Sequence, residues 1–117
     1  LIPAPSTRFQ AAAGIADSVE AFAADILAKA HGEPDPAAVS LLARTIGPAV
    51  EWLADRHGLP FSVIADFTYP GHSARRMHGL PSRSGRELME HLATAAEKAG
   101  ALLVTEAVVD LLIADEE

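Results

Sequence analysis

The sequence predicts an α+β fold: a helical cluster over residues 17 to 58, an extended segment, a long cationic loop, a further helix and a terminal strand. Three observations carry this expectation. Apolar residues recur at helical spacing between Val19 and Ala54. The pattern then turns short and β-branched at Phe61-Ser62-Val63-Ile64. Finally, a helix opening near Gly85 runs into the apolar stretches Leu102-Leu103-Val104 and Val108 to Ile113, which read as one extended or β segment.

The elements follow in order. Residues 1–16 are rich in Pro and Ala without a clear period and read as an irregular lead-in. Asp17-Ser18-Val19-Glu20 fits a capping box, in which Asp17 accepts from the Glu20 amide and Glu20 reaches back. Val19, Phe22, Ala23, Ile26 and Leu27 then form one buried stripe, ended by Gly32 and Pro34. Asp35-Pro36 supplies an N-cap and a proline at the first helical position. Gly47-Pro48 is expected to break this helix and start a third, carrying Val50, Trp52, Leu53 and Ala54 and closed by Gly58. Trp52, the only tryptophan, is expected to anchor the core between these helices. Phe61 to Phe67 reads as a strand or extended edge. The loop from Tyr69 to Glu87 follows, YPGHSARRMHGLPSRSGRE. Ser84-Gly85-Arg86-Glu87 is a second capping box, opening a helix to Ala99 with Gly100 at its C-terminal cap.

Composition bounds what such a chain does. At 117 residues it is one domain with a single small core. Its net charge of −7 argues against general nucleic-acid binding, which needs clustered Lys and Arg. The absence of Cys excludes disulfides and thiolate metal sites. No long apolar run and no signal-peptide pattern occurs, so a cytoplasmic location without a membrane segment is expected. The chain begins at Leu1 without Met and stops directly after a strand-like run, so it reads as a piece of a longer protein. Trimming of disordered tails is the alternative reading.

The cationic loop is the candidate site. Arg75, Arg76, Arg83, Arg86, His72 and His78 fall before its first carboxylate, Glu87, and the loop feeds the helix start at Ser84-Gly85. That arrangement suits a carboxylate or phosphate. A solvated loop whose arginines pair with acidic helices elsewhere fits the residues equally well. The histidines lack zinc-ligand spacing, so no metal site is expected, and His31 and His57 sit near helix C-termini where an imidazole meets terminal carbonyls. No Gly-x-Ser-x-Gly elbow, GxGxxG or P-loop is present, and no catalytic residue is assigned.

Tyr69-Pro70-Gly71-His72-Ser73, Arg76, His78-Gly79 and Ser84-Gly85-Arg86-Glu87-Leu88 together resemble a segment of the fumarate reductase/succinate dehydrogenase flavoproteins. That family includes soluble fumarate reductases, L-aspartate oxidase and 3-ketosteroid dehydrogenases. Thr105 to Asp115 resembles its strand pattern Thr-x-Val-x-x-Leu-Ile-x-Asp, Ala13 to Ser18 its linker after the first nucleotide-binding segment, and Val50-Glu51-Trp52-Leu53 with the Gly58 turn a further stretch. The likeness spans nearly the whole chain, and the order and spacing of its parts carry it. Pro70 stands where a Gly is common and Ser84 where Thr is usual.

The resemblance implies an FAD-dependent oxidoreductase of which this chain is an internal piece of a larger FAD-binding α/β fold. Tyr69 would pack near substrate and flavin. His72, Arg76, His78 and Arg83 would line the flavin site, with Ser84 starting the supporting helix. The backbone at Ala107 and Val108 would approach the adenine end of FAD. The partners implied are the remainder of the flavoprotein and a small carboxylate or ketosteroid-like substrate. The piece alone is expected to lack catalysis, to bind no FAD and to self-associate through apolar surface left uncovered. From another class, the alternative is a stand-alone helical interaction domain whose Arg-rich loop docks an anion or an acidic partner.

Overall fold

The computed structural model describes residues 1–114. In chain order it comprises β1 (Ile2–Pro3), α1 (Arg8–Ala12), α2 (Val19–Lys29), α3 (Pro36–His57), β2 (Ser62–Val63), β3 (Met77–Gly79) and α4 (Gly85–Lys98). The α+β class stands, with helices set around a small antiparallel sheet of order β1-β3-β2. Ile2 pairs with His78 and Pro3 with Met77, while Ser62 pairs with Gly79 and Val63 with His78. The ladder extends at both edges, where the Ala4 amide donates to the Arg76 carbonyl at 2.9 Å and the Ile64 amide to Met77 at 2.7 Å.

The first residues are therefore part of the fold, and the expected irregular lead-in is corrected. Thr7 caps α1: its hydroxyl accepts from the Gln10 amide at 3.2 Å, and the Gln10 side chain accepts from the Thr7 amide at 3.2 Å. This is a capping box at Thr7-Arg8-Phe9-Gln10, the sequence signal that would have placed the helix. At α2 the cap is Ser18, which accepts from Ala21, and not Asp17. Asp17 turns instead to Arg76, the residue just before β3.

Gly47-Pro48 does not break the second long helix; α3 runs unbroken through both to His57. Pro48 faces solvent, so the carbonyl four residues back, at exposed Arg44, can be hydrated. Val39 and Ala43 before the proline, and Val50 after it, are all buried, which holds both halves in one direction. Gly58 ends α3 in the left-handed conformation at φ 68°, as its spacing predicts. Trp52 is 54% exposed and meets His57 edge to face; it is not the core anchor. The core is Ala4, Val50, Leu59, Phe61 and Leu80, with Phe9, Ile46, Leu88 and Leu92 packed against it.

Two further expectations change. The cationic loop contains β3, whose residues are buried and form the central strand. Residues 101–114, by contrast, take no strand: Leu102, Val108 and Ile113 are among the most exposed side chains. A strand is stable only against a partner edge, and none of the described residues offers this segment one. Asp115, the end of the expected strand pattern, lies outside the described residues. No helix among those described is long and apolar enough to cross a membrane.

Candidate functional site

The loop between β2 and α4 is built around Arg76. Its guanidinium is fully buried, donating to Asp17 through Nε at 2.9 Å and Nη2 at 2.8 Å, and to Asp25 through Nη1. The same guanidinium lies over the Phe22 ring at 4.9 Å. Burial opposes the charges here, but the mutual hydrogen bonds outweigh it. Arg76 stays cationic, and both carboxylates are held below the usual carboxylate range. Asp25 also accepts from the Ser73 amide at 2.7 Å and the Ser73 hydroxyl at 2.8 Å.

His78 lies beside this network with no exposed surface. Its Nδ1 stands 2.9 Å from the Arg76 carbonyl, which only accepts, so Nδ1 carries the proton. Nε2 then accepts from the Thr7 hydroxyl at 2.7 Å. Burial pushes the imidazole below its ordinary value, and the Arg76 and Ile2 carbonyls offset this only in part. Gln10 completes the tie by donating to Asp17 and to the Arg75 carbonyl, each at 2.9 Å. Thr7, Gln10, Asp17 and Asp25 are the polar residues at this site that charge counting missed. Thr7, Gln10 and Asp25 belong to a helix or its cap and Asp17 directly precedes the cap of α2, and the partners lie 48 to 71 residues apart in sequence.

Ahead of Ser73 the chain makes a tight turn, closed by the His72 amide on the Tyr69 carbonyl at 3.0 Å with Gly71 at φ 90°. The turn, Asp25, Ile26 and Lys29 of α2 and the cap residue Ala30 line a cleft of about 250 Å³. The aliphatic stem of Lys29 lies on Gly71, where an added Cβ would sit 3.1 Å from Lys29 Cδ. Aromatic rings step inward along this wall: Phe67 to Tyr69 at 6.2 Å, Tyr69 to His72 at 5.5 Å, and His72 to buried Phe22 at 6.1 Å. Tyr69 is half exposed, whereas His72 is partly covered, with a buried Nδ1 that finds no hydrogen-bond partner among the described residues. Burial, and then the charge of Arg76, lowers the His72 pKa.

Of the candidate residues, the structure thus brings Tyr69 and His72 together at the cleft and places Arg76 and His78 behind them in the interior. Arg83 is at the surface, in the left-handed region at φ 52°, paired with Asp66 at 3.2 Å. Ser84 caps α4 by accepting from Glu87 at 3.2 Å. The reciprocal arm of the expected capping box goes elsewhere, because the Glu87 carboxylate takes the Ser82 amide and hydroxyl. Ala107 and Val108 lie in the exposed final segment, away from the cleft lining. The field inferred from clustered arginines is largely neutralised: Arg76 meets two carboxylates and Arg83 one, while Arg75 and Arg86 remain at the surface.

A cleft of this size is below the roughly 300–1,000 Å³ typical of ligand pockets. A larger groove of about 750 Å³ lies between Arg56 and His57 of α3 and His91, Thr94 and Lys98 of α4, and it contains none of the candidate residues.

A family model described as "FAD binding domain" matches residues 1–117. Among solved structures, that of the open conformation of a flavocytochrome c3 fumarate reductase is similar, with a TM-score of 0.73 and 28% sequence identity. The match covers 86% of this chain and 18% of that one.

Proposed function

The chain belongs to the FAD binding domain family of fumarate reductase-type flavoproteins, and from that premise we propose that it contributes one wall of the flavin and substrate site of an FAD-dependent oxidoreductase. When bound, FAD supplies hydride transfer. In this reading Tyr69 and His72 present the wall. Its aromatic face excludes water, and the Asp25 contact to Ser73 keeps it in place. Arg76 and His78 support it from behind and do not touch the ligand. Arg83 and Ser84 shape the entry to α4, and the backbone at Ala107 and Val108 reaches toward the adenine end. The substrate class is a small carboxylate or a ketosteroid-like ketone. The observation that carries the reading is a family match over the whole chain together with an aromatic, half-open cleft at Tyr69–His72. The docking-loop alternative loses support because Arg76 and Arg83, two of its four arginines, are paired within the chain.

The test is made in the full-length flavoprotein. Tyr69→Ala is expected to displace the bound-flavin absorbance bands and to lower kcat/KM by about 10- to 100-fold, the scale of a misplaced site wall. Unchanged spectra and kinetics would remove Tyr69 from the site.

A further inference from the structure

We propose that Asp25 is the positioning residue of the Tyr69–His72 wall, acting through Ser73; this rests on the reading of that wall as part of the flavin site. One oxygen of Asp25, Oδ2, accepts three donors: the Ser73 amide, the Ser73 hydroxyl and Nη1 of Arg76. The first two fix the residue immediately after the turn, and the turn's own closure, His72 to Tyr69, fixes the residues before it. Four residues further along α2, one helical turn, Lys29 lies against Gly71. Helix α2 therefore grips the turn at two neighbouring points, one polar and one apolar.

The ring contacts pass any shift of Ser73 on to the wall. His72 is adjacent to Ser73 and sits between Phe22, which is buried and fixed, and Tyr69, which is half exposed. Releasing Ser73 frees His72 to tilt about its contact with Phe22, and Tyr69 moves with it. A site wall acts within about half an ångström of its working position, so such a tilt is felt in function before it is felt in the fold.

Asp17 provides the control. It meets the same guanidinium with two hydrogen bonds and is buried, yet it makes none to Ser73. A purely structural role for the carboxylates predicts that removing either has the same consequence. A positioning role predicts that they differ.

In the full-length, FAD-loaded flavoprotein, Asp25→Ala, Asp17→Ala, Ser73→Ala and Asp25→Asn are compared by thermal midpoint and by the absorbance and circular-dichroism bands of the bound flavin. Asp25→Ala is expected to shift the flavin bands and to lower kcat by about 10- to 100-fold with little change in KM. Asp17→Ala is expected to lower the midpoint at least as far while leaving the flavin bands in place. Asp25→Asn keeps an acceptor for Ser73 and should restore the bands, and Ser73→Ala should shift them part of the way without a comparable loss of midpoint. Equal band shifts in Asp17→Ala and Asp25→Ala, or none in Asp25→Ala, would overturn the assignment. If Asp17→Ala does not yield a folded flavoprotein, the pair Ser73→Ala and Asp25→Asn decides by the same criterion. Should Tyr69→Ala move the bands while Asp25→Ala does not, the wall reading stands and the positioning role alone fails. Silence in both overturns both.

Discussion

Arg76 shows how far a single residue can be read from sequence. Its charge was visible, and its position in a loop of like charges pointed to a ligand. Its two partners, the residue just before the cap of α2 and one within α2, come 59 and 51 residues earlier. Such pairing depends on the tertiary path, which no local spacing encodes. His78 is similar: the sequence offers an imidazole, and only the fold buries it between Thr7 and the Arg76 carbonyl. That arrangement has a consequence for pH. The folded pKa of His78 lies below its unfolded value, near 6.5, so the unfolded chain takes up the proton first as pH falls. The stability due to a neutral His78 is complete above that unfolded value and is lost as pH falls through it toward the folded pKa. His72, lowered in the same sense, adds to the loss. Asp17 and Asp25 act later: their depressed pKa values give stability that is present above the unfolded carboxylate value and is lost as pH falls through the folded one. Urea midpoints are therefore expected to fall between about pH 7.5 and pH 5.5, with His78→Gln flattening the difference. A pH-independent midpoint in the parent chain would contradict the neutral, buried imidazole. Thr7→Val leaves Nε2 buried without a donor and is expected to cost about 1–3 kcal/mol at neutral pH, measured by urea unfolding.

The elements most legible in the sequence were those whose ends are chemically marked. Asp35-Pro36, Gly58, Ser84 and Gly100 mark the ends of α3 and α4 to within a residue or two. Thr7-Arg8-Phe9-Gln10 carries the same kind of mark but opens a helix of only five residues, too short to show a period. Gly47-Pro48 misled for a different reason. A proline inside a helix costs about 3 kcal/mol, and here buried contacts on both sides of it outweigh that. The glycine beside it has a separate role. A Cβ at Gly47 would lie 2.7 Å from the Pro5 carbonyl oxygen, which is backbone and cannot rotate away. Gly47 thus lets the N-terminal strap press against α3 and enter the sheet through β1. Gly47→Ala is expected to destabilise by about 1–3 kcal/mol through that overlap, whatever it gains in helix propensity. Gly85→Ala, where the added atom meets nothing within 4 Å, should be near neutral. Equal thermal midpoints for the two variants would show that the strap yields without cost. The terminal strand was legible only as a propensity, since Val108 to Ile113 have strand-like side chains but no edge to pair with among the described residues.

At the scale of the whole molecule, the surface is larger than a chain of this mass needs. Accessible area is 8138 Å², where a compact monomer of 12.2 kDa is expected to show roughly 6,000 Å². The radius of gyration is 17.0 Å against about 13 Å for a compact domain of this length. The excess is apolar in part: Leu102, Leu103, Val108, Leu111, Leu112 and Ile113 are all exposed, and α4 has no fully buried residue. Roughly 2,000 Å² of surplus area exceeds what one partner contributes to a standard protein interface, about 800 Å². The chain covers 18% of the flavocytochrome c3 fumarate reductase chain to which it is similar, and on the proposed reading as a piece of such a flavoprotein this surface would pack against the remainder. The chain on its own is therefore expected to self-associate and to enhance the fluorescence of an apolar dye. Light scattering after size exclusion should report a mass above 12.2 kDa, and a variant ending at Gly100 should lose most of the dye signal. A monomeric, dye-silent chain would mean that the final segment folds back onto α4, and the surplus area would then belong to the chain itself.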